Sequence, residues 1–203
     1  MRAYMKNQFE FLGVKTPVRR AAVAGLIRGQ KGANSADLLR CARKLWARTE
    51  REYQYVAVDL LARHAGTLAV TDLPALFALV RKKSWWDTVD ALASVIGRVV
   101  KAACSNDPTT QCSMDEALTS DNLWIRRVAI IHQLGWRSHT DTKRLFHYAE
   151  TCAHEKDFFI RKAIGWALRD YARHAPGEVR VFLRVNRRKL SPLSVREAGK
   201  HIL

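Results

Sequence analysis

The stretch from Lys82 to Leu92, KKSWWDTVDAL, sets two adjacent tryptophans and two aspartates within six positions, directly after two lysines. If Ser84 caps a helix here, Asp87 falls at the third helical position, where a carboxylate meets unsatisfied N–H groups and the positive end of the helix. Asp90 lies past that turn, between Val89 and Ala91, where neither capping nor solubility calls for an acid. A spacing of four places Trp86 and Asp90 on one face, while Trp85 and Val89 point elsewhere. Two readings stand open. Trp86 is a large core side chain and Asp90 pairs with an arginine, or the two form a site on an open face while Trp85 packs inside. Arg127, three positions after Trp124 in DNLWIRR, Trp166 in KAIGWALRDY and Tyr4 in RAYMKN add weight to the second.

Such a site needs elements that hold distant residues in register. Helix starts punctuate the chain: Thr16-Pro17, Ser35, a capping box of Thr49 with Glu52, and later starts near Asp72, Ser84, Ser120, Thr140, Asp157, Pro176 and Ser191. Apolar residues recur at spacings of three and four, as in Leu123, Ile130, Ile131 and Leu134, so the expected class is all-α. NLWIRRVAIIHQL at 122–134 aligns with DFFIRKAIGWAL at 157–168, Trp124 over Phe159 and Arg126-Arg127 over Arg161-Lys162, an offset of 35 residues. Trp166 stands where the earlier copy has Ile131. SWWDTVDALASV and YQYVAVDLLAR fit the pattern further upstream. Helix pairs recurring at this period predict HEAT-like repeats stacked into a curved solenoid with one concave face. A helical bundle with coincidental likeness between helices is the alternative.

Charge narrows the partner. The 203 residues carry 35 Lys+Arg against 19 Asp+Glu, a net +16 with pI near 10.2. From Arg126 onward there are 17 basic and 7 acidic residues, so the excess is regional. A polyanion is the favoured partner, nucleic acid ahead of an anionic membrane surface or an acidic protein. Cys41, Cys104, Cys112 and Cys152 form no C-x-x-C pair, which fits a reduced, cytoplasmic setting. No signal peptide or membrane span is expected, since MRAYMKNQFEF mixes charge with aromatics and no run of about 18 apolar residues occurs. His147, Cys152 and His154 match no zinc spacing, and G-x-S-x-G and Gly-rich phosphate loops are absent, so neither metal nor cofactor is expected.

The stretches RAYMKNQFEFLGVKTPVRR, KSWWDTVD, SDNLWIRRVAI, KDFFIRKAIGWALRDYA and SPLSVREAGKHI, in this order, run through nearly the whole chain. In them the sequence resembles the AlkD-like DNA alkylation-repair glycosylases, a family of HEAT-like repeats. The resemblance implies one domain over 1–203, a basic concave groove for duplex DNA, and release of N3- or N7-alkylated purines as free bases. By motif it assigns catalysis to Asp90 with Trp86 and Trp166, a phosphate contact to Arg127, and a place beside the groove to Tyr4. Arg126, Arg161, Lys162 and Arg169 would add sequence-independent affinity. Relatives carry about one more helix before the RAYMKN motif and often continue beyond KHIL, which leaves two readings open: Met1 is a late or mis-assigned start, or this member lacks its first helix. The implied location is cytoplasmic and nucleoid-associated, with no obligatory protein partner.

The chemistry suits these residue types. Alkylation at N3 or N7 makes the purine cationic, so it departs as a neutral base and positive charge moves to the deoxyribose. A fixed carboxylate can stabilise that oxocarbenium-like sugar and hold the attacking water. Indole faces beside a cationic nucleotide contribute about 0.5–2 kcal/mol each. The rival within the same fold is a DNA-binding scaffold without catalysis, to which a carboxylate facing phosphates would be of no use.

Overall fold

A computed structural model describes residues 1–104 and 107–202. Eleven α-helices and five short 3-10 helices make up its elements, and no strand occurs among the described residues, in line with the all-α expectation. The chain divides into two compact units, Met1–Val95 and Ile96–Leu203.

The first unit holds α1 (Thr16–Gly29), α2 (Ser35–Ala47), α3 (Arg51–Arg63), α4 (Leu73–Arg81) and the start of α5 (Trp86–Cys104). Helix α3 packs on α1 and α2, and α2 also meets α4. Their apolar stripes supply a core of Leu38, Leu39, Leu60, Leu61, Leu76, Val89 and Leu92, all buried. Asn34, not Ser35, caps α2, its side chain accepting from the Asp37 amide at 2.9 Å. The expected box of Thr49 with Glu52 does not form: no side chain caps α3. The Glu52 carboxylate instead accepts from the backbone amides of Leu12, Gly13 and Val14 at 3.0, 2.9 and 3.2 Å. An irregular segment has no ladder to satisfy its amides, and a buried carboxylate takes that role here.

The second unit holds the rest of α5, then α6 (Cys112–Leu118), α7 (Leu123–Ile131), α8 (Thr142–Thr151), α9 (Phe158–Ala172), α10 (Pro176–Val185) and α11 (Pro192–Gly199). Helix α7 packs on α6, α8 and α9, and α9 on α8, α10 and α11. The 35-residue repeat is visible in its hydrogen bonds. Asn122 caps α7 by accepting from Trp124 and Ile125, and Asp157 caps α9 by accepting from Phe159 and Ile160. Arg126 donates to the Ser120 carbonyl at 2.7 Å, and Arg161 to the Glu155 carbonyl at 2.8 Å, each reaching six residues back. The rings of Trp124 and Phe159, equivalent in the two copies, lie 4.9 Å apart.

Gly165 lets α9 and α11 approach closely, since a Cβ added there would stand 2.5 Å from the Glu197 Cβ and 3.0 Å from the Ser194 carbonyl oxygen. No other residue fits that contact without moving a backbone.

Candidate functional site

In the first unit the Trp85 carbonyl accepts the first helical bonds of α5, from Thr88 and Val89. Trp86 therefore opens the helix and Asp87 is its second residue rather than its third. Ser84 donates its hydroxyl to the Val80 carbonyl at 2.6 Å, back into α4. Asp87 is bound to Arg51, whose Nε and Nη2 donate to its two oxygens at 3.0 and 2.5 Å, and to the Tyr55 hydroxyl at 2.6 Å. The Arg51 side chain is fully buried and that of Asp87 only 6% exposed. A buried charge pair is tolerated only when its remaining donors are satisfied. Arg51 meets this by also donating to Thr88 Oγ1 at 2.7 Å and to the Lys83 carbonyl at 2.8 Å, with the Phe9 ring centred 3.8 Å from its guanidinium. Burial, then the hydrogen bond to Asp87, pushes the Tyr55 phenol well above its ordinary value, so it stays a donor.

Trp86 and Asp90 sit one turn apart on α5, both half-buried, as is Trp85. The Tyr4 ring, 74% exposed, meets Trp86 edge to face at 6.0 Å between centres. A cleft of about 310 Å³ lined by Tyr4, Phe11, Arg19, Arg20 and Tyr55 opens in this unit. Asp59 holds its two arginines, Arg19 at 3.1 Å and Arg20 at 3.0 Å.

In the second unit the Arg127 guanidinium lies 5.2 Å from the centre of the Trp166 ring, and Lys162 Nζ lies 5.6 Å from it. Arg127 is buried and donates to the Phe159 carbonyl, while Trp166 is half-buried. Indole faces attract cations through their quadrupole, and Trp166 thus carries one on α7 and one on its own helix. The other basic residues expected to favour DNA all have protein partners. Arg126 pairs with Glu155 at 2.7 Å, and Lys162 and Arg169 each pair with Glu197 at 3.0 Å. Lys200 joins them at 3.1 Å. Burial alone would raise the Glu197 carboxyl; the hydrogen bonds and charges of Lys162 and Lys200 override it and hold the group down to about 2.

The structure thus joins Tyr4 to Trp86, with Asp90 on the same helix, in one unit, and Arg127 to Trp166 and Lys162 in the other. Arg51, Tyr55 and Glu197 were not singled out from the sequence, although one signal was present. REYQY at 51–55 and RLFHY at 144–148 share arginine and tyrosine at a helical spacing of four. The second copy grips Asp115 as the first grips Asp87: Arg144 Nε and Nη2 donate at 3.0 Å and the Tyr148 hydroxyl at 2.6 Å. Among the described residues no three His, Cys, Asp or Glu side chains gather as a metal site, and no helix is long and apolar enough to cross a membrane.

Helical repeats that present indole, guanidinium and carboxylate groups from a strongly basic chain define a class of protein suited to handling a polyanion. The chain belongs to the DNA alkylation repair enzyme family, whose model matches residues 1–202. It is similar to a solved structure described as a predicted DNA alkylation repair enzyme from Enterococcus faecalis, with 34% identity and TM-score 0.92, covering 100% of this chain and 92% of that one. AlkD2 from Streptococcus mutans shares the fold, with TM-score 0.68 at 18% identity over 98% of this chain and 96% of that one. No curated protein matches the chain.

Proposed function

We propose that this chain is a DNA glycosylase of base excision repair that hydrolyses the N-glycosidic bond of N3- and N7-alkylated purines in duplex DNA, 3-methyladenine and 7-methylguanine among them, and leaves an abasic site. The observation that carries the reading is the Tyr4–Trp86 aromatic pair with the Asp90 carboxylate one turn further along the same helix. Family membership supplies the setting of DNA alkylation repair.

In the reaction, the bond from the sugar C1′ to the purine nitrogen breaks and its electron pair neutralises the departing cationic base. Water adds at C1′ and releases a proton to solvent. Asp90 stabilises the positive sugar electrostatically and orients the water. Trp86 offers an electron-rich face to the cationic nucleotide and excludes bulk water, which strengthens the carboxylate's field. In the second unit, Trp166 is assigned an indole face for the DNA, and Arg127 with the neighbouring basic residues is assigned to phosphates. No step calls for a metal or an organic cofactor.

The test is base release from alkylated duplex DNA by purified protein, with chromatographic identification of the free purines. The intact protein is expected to release 7-methylguanine or 3-methyladenine, and Asp90→Asn to bind the same DNA with little release. No release by the intact protein, despite binding, would select the non-catalytic scaffold instead.

A further inference from the structure

Trp86 and Asp90 stand in the first two turns of α5, and their placement depends on what fixes the start of that helix. The turn entering it is not a relaxed one. Lys83 adopts φ +51, in the left-handed region that a side chain with a Cβ enters only when its surroundings impose it. Neighbours pin it on each side. Trp46 Nε1 donates to the Lys82 carbonyl at 2.9 Å, the Lys83 ammonium donates to the Arg48 carbonyl, and Arg51 takes the Lys83 carbonyl at 2.8 Å.

We propose that Arg51 and Tyr55 are positioning residues for the reaction. By holding the Lys83 carbonyl, Asp87 and Thr88 together, they fix the first turn of α5 and with it the Trp86 ring against Tyr4 and the direction of Asp90. Arg51 touches neither Trp86 nor Asp90 in any interaction described above; it acts through three groups that stand on either side of Trp86 and within the turn preceding Asp90. The N-terminal turn of α3 works in two directions, since Glu52 gathers the amides of residues 12–14 and the Arg51 amide donates to the Glu10 carbonyl at 2.9 Å, while the Arg51 side chain reaches residues 83–88. One helical turn thus secures both the segment that follows Tyr4 and the segment that carries Trp86. Tyr55, one turn further on, binds Asp87 and lines the cleft that Tyr4 also lines.

The second arginine–tyrosine clamp provides an internal control. Arg144 and Tyr148 grip Asp115 on α6 with matching geometry, but no tryptophan or second aspartate follows Asp115 in its helix. The second ion pair is the more exposed, 26% and 41% for Arg144 and Asp115 against 0% and 6% for Arg51 and Asp87, so the rate of the reaction and not the loss of Tm tells a positioning clamp from a structural one.

The inference rests on the glycosylase reading, and the experiment separates the two. Tyr55→Phe and Tyr148→Phe each remove one hydroxyl from a carboxylate that keeps its arginine, so both variants are expected to fold. Three quantities are measured: Tm, the Kd for alkylated duplex, and the single-turnover rate of 7-methylguanine release with enzyme in excess. Both variants should lose some Tm and keep Kd. Tyr55→Phe alone should slow release, by about tenfold to a hundredfold, the range expected when reacting groups are displaced by up to an ångström. Arg51→Lys, which keeps the charge but not the fork, should slow release at least as much as Tyr55→Phe. Equal rates for Tyr55→Phe and the parent, or equal slowing in both tyrosine variants, would overturn the positioning role while leaving the glycosylase reading intact. No release by the parent would overturn both.

Discussion

The Arg127 guanidinium lies 5.2 Å from the centre of the Trp166 ring although Arg127 is only 1% exposed. A cation so deeply placed is part of the packing before it is part of any DNA contact. Arginine's planar fork can stack on the ring and donate to the Phe159 carbonyl together, which the lysine ammonium cannot reproduce. Arg127→Lys is therefore expected to cost about 1–3 kcal/mol of stability by chemical denaturation. If Arg127 also serves a phosphate, the same variant, assayed well below its Tm, weakens duplex binding several-fold. Stability lost with the affinity intact would make it a structural residue alone.

Acid should lower the stability of the fold through two windows of pH. Complete burial pushes His132 down to about 4, so the folded state keeps it neutral while the unfolded chain binds a proton below about 6.5. Stability is full above that value and falls as pH drops from about 6.5 to about 4, by on the order of 3 kcal/mol. Glu197, held down to about 2, adds a second loss as pH falls from about 4.5, where the unfolded chain begins to take up the proton. Denaturation midpoints measured between pH 8 and pH 3 should decline through both windows. His132→Phe should flatten the first and leave the second; a first window of equal slope in that variant would assign it to another group.

Duplex binding should weaken with salt because each neutralised phosphate releases counterions. With even two or three such contacts, affinity falls at least about tenfold between 50 and 200 mM monovalent salt. Lys162 and Arg169 already share Glu197, and Arg126 is paired with Glu155. The slope should consequently be shallower than a net charge of +16 suggests. Fluorescence anisotropy on a labelled duplex measures it, and a flat response would contradict phosphate contacts altogether.

Helix starts are legible locally to within a few residues, while the capping residue itself often is not: Asn34 and not Ser35 caps α2, and no side chain caps α3. The caps at Asp157 and Ser191, the prolines opening α1 and α10, and the 35-residue register of α7 and α9 lie within a few residues of what they control. Glu52 and Asp87 sit where a helix start would use a carboxylate, yet each is taken by partners 32 to 40 residues away. Spacing cannot reveal which of two competent donors wins when the fold brings the second one in buried and already oriented. The same holds for Lys162 and Arg169, which composition marks as open to a polyanion and which the fold gathers on Glu197. That Trp86 and Asp90 share a helix is legible from their spacing of four; that Arg51 and Tyr55 hold the start of that helix is not, because both come from another helix.

The carboxylate of Glu52 reaches the three successive amides of Leu12, Gly13 and Val14 from outside their own segment. These amides belong to no helix, yet their hydrogens can exchange with solvent only when that carboxylate lets go. The segment therefore opens against the start of α3 and not residue by residue, so slow exchange at Gly13 reports whether residues 12–14 are docked on Glu52.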